Sequence, residues 1–266
     1  MRHFDGFLKT PPLWINEQFG IKQFEFPSID LSGFVPEPIP QNIRLGHQVE
    51  HVFHQLIEYD STYEVLAYNQ QLKRNKITLG ELDFILKHKQ TGKLKHVELT
   101  YKFYILDPSI TEPIHRAMGP NRKDMFFTKM EKTKNNQFSL LHSSEGVQLM
   151  EQLGIANETI DQECCFLGQL FVPYQHKQIS IRPLNPKCII GYWLNLKSLM
   201  EQNFRNCEFY ILRKYQWLHT PHLDVNWQTH QEALLDIHVK HLSQNAPMIW
   251  IKNTNNTIEK CFVVWW

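Results

Sequence analysis

The chain has 266 residues, 42% hydrophobic and 21% charged, with a formal net charge of +1. That is ordinary for a globular protein able to bury a sizeable core. No run of about eighteen uncharged apolar residues occurs, which excludes a membrane-spanning helix. Asp5 and Lys9 interrupt the N-terminal stretch where a signal peptide needs an unbroken apolar run, so a cytoplasmic protein is expected.

Taken in chain order, residues 1–42 read as an irregular lead-in, with prolines concentrated over 23–42. A helix is predicted from about Ile43 to Glu58, because Leu45, Val49, Val52, Phe53 and Leu56 recur at helical spacing. Three strands follow, Tyr63–Leu72, Ile77–Lys87 and Lys95–Leu106, the last two joined through the hairpin signal Gln90-Thr91-Gly92. A basic helix after Gly119-Pro120-Asn121 runs to about Asn135, a short helix spans Glu145 to Leu153, and a strand spans Cys165 to Pro173. Beyond 176 the pattern alternates again: strand 188–194, helix 196–203, strand 207–212, helices over 221–243, and strands 248–253 and 260–265. This predicts an α/β fold with a core over 43–175 and a C-terminal α/β extension over 176–266.

Charge is unevenly spread. Residues 67–134 hold fourteen Lys or Arg against seven Asp or Glu, a net +7, while the remainder nets −6. Such a stretch can steer a phosphate backbone or simply form a solvated lysine-rich face. Five cysteines, two of them adjacent and none in a C-x-x-C, indicate reduced thiols rather than a disulfide framework. The six tryptophans from Trp193 onward are expected in the core, with the terminal Trp265-Trp266 docked on the body or on another chain.

The segment that carries chemistry begins in the first helix. At about 100° per residue, Glu50 falls on the flank of the apolar stripe, where it can look along a sheet edge. In the third strand, period-two geometry sets Glu98, Thr100 and Lys102 on one face. A two-residue turn at Thr91-Gly92 would set Asp83 opposite Thr100, flanked diagonally by Glu98 and Lys102. Two carboxylates and an ammonium converging between strands are costly unless neutralised. Hard Mg²⁺ or Mn²⁺ neutralises carboxylates, lowers the pKa of bound water and bridges to a phosphate oxygen. His47-Gln48-Val49-Glu50-His51 also matches a zinc-peptidase pattern, but its histidines lie opposite the apolar stripe and the following chain is strand-rich, so a solvated polar face accounts for it better.

The order Glu50 on a helix, Asp83 on the second strand, Glu98 and Lys102 on the third, then a basic helix, resembles the PD-(D/E)XK phosphodiesterases, whose core is restriction-endonuclease-like. More narrowly, LGHQVEHVF, GELDFIL, HVELTYKFY and GPNRKD resemble an uncharacterised bacterial domain family assigned to that superfamily. The resemblance implies a helix, three-strand meander, helix and strand core, with Glu50, Asp83 and Glu98 as ligands of Mg²⁺ or Mn²⁺. It implies that Lys102 assists the attacking water and that nucleic acid is the substrate, with Arg122, Lys123, Lys129 and Lys132 on the basic helix meeting phosphates. The usual E-x-K spacing puts Lys at position 100, where this chain has Thr100; Lys102 stands two places further on the same face. That displacement leaves two functions open, a divalent-metal nuclease and a catalytically silent nuclease-like module that binds nucleic acid or protein. The sequence leaves a homo-oligomer open as well.

Overall fold

The computed structural model describes residues 1–156, 159–176 and 179–266. It is a mixed α/β protein with a large mixed sheet, and its chain forms two compact units. No helix among the described residues is long and apolar enough to cross a membrane.

The first unit comprises Met1, Pro12–Tyr101 and Thr128–Leu167. Its first helix, α1 (Leu45–Tyr59), buries Val49, Val52, Phe53, Leu56 and Ile57. The stripe is where the helical spacing puts it, and Phe53 packs on Phe84 at 4.4 Å between rings. Strands β1 (Tyr63–Arg74), β2 (Ile77–His88) and β3 (Leu94–Leu106) form an antiparallel meander, and β4 (Ile160–Pro173) lies next to β3. Helices α2 (Phe126–Lys132) and α3 (Ser144–Gln152) follow β3; a π turn over Thr133–Gln137 continues α2. The α/β pattern is as expected, but a short strand, Ala117–Met118, and a further helical turn, Phe138–Leu140, also lie between β3 and β4, and β4 starts five residues before the predicted Cys165.

The hairpin register differs from expectation. Lys87 pairs with Leu94 and the His88 amide donates to the Lys93 carbonyl, so the loop holds the four residues 89–92 and Gly92 closes it in the left-handed region, at φ +71°. The His88 ring accepts the Gln90 and Thr91 amides and so favours the wider loop. The change from a two-residue loop slides β2 by two places along β3. A two-place shift leaves every side chain on its own face, so Asp83 comes opposite Glu98 rather than Thr100.

The second unit comprises Arg2–Pro11, Lys102–Phe127 and Gly168–Trp266. The lead-in expected over 1–42 is irregular from Phe24 onward, but it opens on a helix, Arg2–Leu8, that buries Phe4 and Phe7. Strands β5 (Ile189–Asn195), β6 (Glu208–Ile211), β7 (Met248–Lys252) and β8 (Ile258–Val264) stand in the order β4-β5-β8-β7-β6. β5 is parallel to β4 and β8, whereas β7 is antiparallel to β8 and β6. Of the helices predicted over 221–243, only α4 (His230–Leu242) forms, capped by Thr229 and Glu232. Residues 221–229 stay irregular after Pro221. Trp266 docks on this unit: its indole donates to the Pro120 carbonyl at 3.2 Å and lies 5.4 Å from Trp193. All five cysteines are buried, and none is in a disulfide.

Candidate functional site

The β2–β3 ladder ends at the pair Phe84–Val97, leaving the next amide of β3 without a strand partner. Asp83 supplies one: its carboxylate accepts the Leu99 amide at 2.7 Å. Continuing the register one place sets Asp83 across from Glu98 on the same face. Glu98 is wholly buried, and so is His96, two residues before it. Burial raises the Glu98 carboxyl to about 7, and burial, then the Glu98 charge, raises Asp83 well above the usual carboxylate range.

His96 Nε2 lies 2.9 Å from Glu98 Oε1. Burial lowers His96 to about 4, so the ring is neutral; Nε2–H donates to Glu98 and Nδ1 accepts from Gln162 at 3.1 Å. This contact is a hydrogen bond rather than an ion pair. The second Glu98 oxygen accepts from the Gln137 amide. Gln137 Oε1 in turn accepts from Lys129 Nζ at 2.8 Å and from Thr133 Oγ1 at 3.1 Å. The π turn aims Gln137 at the strand, and π turns recur where a helix must place one side chain out of its regular row.

Glu50 joins from α1. Its carboxylate accepts from Asn69 Nδ2 at 3.0 Å and from His47 at the same distance, an interaction that raises the His47 pKa. Asn69, on the β1 row opposite Asp83, has φ +50°, a conformation Asn tolerates better than most residues. Burial, and then the negative charges of Glu50, Glu81 and Asp83, push Tyr68 up to about 12. Burial and then Glu50 raise Glu81. Four carboxylates thus act on one another within the first unit.

The remaining predicted residues belong to the second unit. Lys102 Nζ lies 2.6 Å from Asp124. Arg122 stacks 3.4 Å from the Trp266 ring centroid and pairs with Asp107 at 3.6 Å, while Lys123 is exposed. The lysine whose charge acts on Asp83 and Glu98 is Lys129. The basic-helix pattern contained Lys129 but could not single it out. His96 and Glu81 were legible as members of the carboxylate face; Gln137 carried no signal, because its reach depends on the π turn.

Oxygen-rich and anionic, the donor set suits a hard divalent cation in its chemistry. Two buried oxygens beside it, Asn69 Oδ1 and Thr100 Oγ1, find no hydrogen-bond partner among the described residues. Among the described residues, however, no group of three or more His, Cys, Asp or Glu stands at ligating spacing.

The structure thus shows a mixed α/β protein whose sheet and first-unit helix carry three half-buried carboxylates around the buried Glu98. The chain belongs to the DUF1853 family, a domain of unknown function whose model matches residues 21–264. No curated protein and no solved structure matches it.

Proposed function

We propose that this protein is a divalent-metal-dependent phosphodiester hydrolase of the PD-(D/E)XK type acting on nucleic acid. The observation that carries the reading is the facing pair of half-buried Asp83 and wholly buried Glu98, two carboxyls whose ionisation is suppressed by desolvation. A cation offsets that cost, and among side chains here Asp83 and Glu98 would hold it, with Glu50 at the edge. When bound, Mg²⁺ or Mn²⁺ supplies a nucleophilic water at neutral pH and a clamp on a phosphoryl oxygen.

The chain's own groups supply the rest. Asp83 is held by the Leu99 amide and Glu98 by His96 and Gln137, so both carboxylates are pre-positioned. Lys129, fixed through Gln137, supplies positive charge beside the two carboxyls and takes the part expected of Lys102 from sequence, assisting the attacking water. The basic stretch 67–134 favours a polyanionic substrate.

A second reading has its own observation. Both Glu98 oxygens already accept hydrogen bonds, from His96 and Gln137, as in a carboxylate that only braces the fold. That favours a catalytically silent module that binds nucleic acid or protein.

The test is cleavage of labelled single- and double-stranded DNA and RNA with millimolar Mn²⁺ or Mg²⁺. Asp83→Asn should abolish cleavage, and Lys129→Ala should reduce it by roughly 10². Lys102→Ala should be close to wild type if Lys129 carries the role, and severely impaired if Lys102 does. No cleavage by wild type, with no Mn²⁺-induced rise in Tm, leaves the silent module as the function.

A further inference from the structure

The second unit holds a lysine that the proposed nuclease chemistry does not use. Lys260, on β8, is 6% exposed; Glu259 precedes it on the strand and the buried Cys261, Phe262, Val263 and Val264 follow. Its ammonium donates to Gln169 Oε1 at 3.0 Å and to the Trp217 carbonyl at 3.3 Å. Both acceptors are neutral, and among the described residues no carboxylate lies within ion-pair distance of it. Gly191 makes the placement possible: a Cβ there would stand 2.3 Å from the Lys260 carbonyl oxygen.

Lys260 lines a cavity of about 290 Å³. Pro11, Ile190, Leu218, Pro221 and Ile258 give it apolar walls. Lys9 and Thr220 also line it, but Lys9 is paired with Asp5 at 2.8 Å, and Thr220 is exposed and hydrogen-bonded to Asp5. The cavity therefore combines apolar walls with one buried cation that lacks a counter-charge. Such a group is costly to bury, and a hydrophobic residue of similar volume would avoid the cost.

We propose that this cavity is a binding site for a small monocarboxylate with a short apolar tail, its carboxylate paired with Lys260. A single cation in apolar walls matches one negative charge and a hydrocarbon body. A doubly charged phosphate would keep an uncompensated charge in the same walls. Burial lowers the Lys260 ammonium to about 7, so near neutral pH a large fraction of the side chain is uncharged until an anion arrives. Binding an anion should therefore draw a proton from solution.

The experiment is calorimetric titration of the full chain with hexanoate at neutral pH, in two buffers of different ionisation heat. The expected result is saturable binding with uptake of about half a proton per hexanoate. Hexanamide, which keeps the shape without the charge, should bind at least tenfold more weakly. Lys260→Met should lose hexanoate by the same factor. If Lys260→Met does not fold, Thr220→Trp keeps the lysine and fills the mouth, and should also abolish binding. Absence of binding to wild type overturns the proposal. So does equal affinity for hexanamide, binding without proton uptake, or binding that survives in Thr220→Trp or in a folded Lys260→Met.

Discussion

At the scale of single residues, the two facing carboxyls set a pH dependence whose sign can be worked out. An unfolded Glu titrates near 4.3, whereas folded Glu98 titrates at about 7. Between those values the folded state holds a proton that the unfolded chain has released. The associated stability is complete below the unfolded value and is lost as pH rises through the folded one. The upper bound for Glu98 is on the order of 4 kcal/mol. Without divalent metal, Tm should therefore fall between about pH 4 and 7, and Glu98→Gln should flatten that slope. Millimolar Mn²⁺ should restore wild type near pH 7 and leave Glu98→Gln little changed. Differential scanning fluorimetry across that range checks both, and an equally steep profile for the variant would assign the slope to other groups. Asp83→Asn keeps an oxygen for the Leu99 amide while removing the second charge. It should leave the metal-free protein at least as stable as wild type.

At the scale of elements, two pieces of backbone decide where side chains can go. The π turn Thr133–Gln137 delivers Gln137 to Glu98, and Gln137→Leu leaves a buried carboxylate oxygen with one donor fewer. Equilibrium urea unfolding should show a loss of about 1–3 kcal/mol. Two glycines make a contrasting pair. A Cβ at Gly191 would meet backbone, the Lys260 carbonyl at 2.3 Å. A Cβ at Gly80 would meet the end of the half-buried Leu140 side chain at 2.4 Å, which can turn aside. Gly191→Ala should cost about 1–3 kcal/mol or prevent folding, and Gly80→Ala should cost clearly less. Equal losses would mean that the parallel pairing of β5 with β8 can spread to admit a methyl group.

At the scale of the whole molecule, each unit gathers distant stretches of chain. The second unit depends on the N-terminal helix, where Phe4 and Phe7 are 2% and 1% exposed and Gly6 packs on the Leu218 carbonyl. Phe7→Ala should lower stability by about 3–5 kcal/mol in the same unfolding experiment. A loss below about 1 kcal/mol would show that the helix is dispensable. Charge gives a second expectation at this scale. If the +7 stretch over 67–134 meets a phosphate backbone, oligonucleotide affinity should fall linearly on logarithmic axes of binding constant against salt. A flat dependence would remove nucleic acid as the partner.

The elements around the carboxylates follow from local chemistry. Helical spacing placed Leu45–Tyr59, period-two alternation placed the three strands within a residue or two, and parity put Asp83 on the face of Glu98. Parity survived even though the loop length was misjudged, because a slip of two residues changes partners without changing faces. What local pattern could not supply was any contact closed by tertiary packing. Lys129 acts on Asp83 and Glu98, and Lys102 lies beside Asp124, only because a π turn and the path after β3 set those distances. The Arg2–Leu8 helix was invisible because seven residues show too few turns for a period, and its stability comes from burial of Phe4 and Phe7. Lys260 read as one charge in a C-terminal strand. Its burial beside a cavity was decided by Gln169, Trp217 and the N-terminal segment, groups that meet only when the chain is folded.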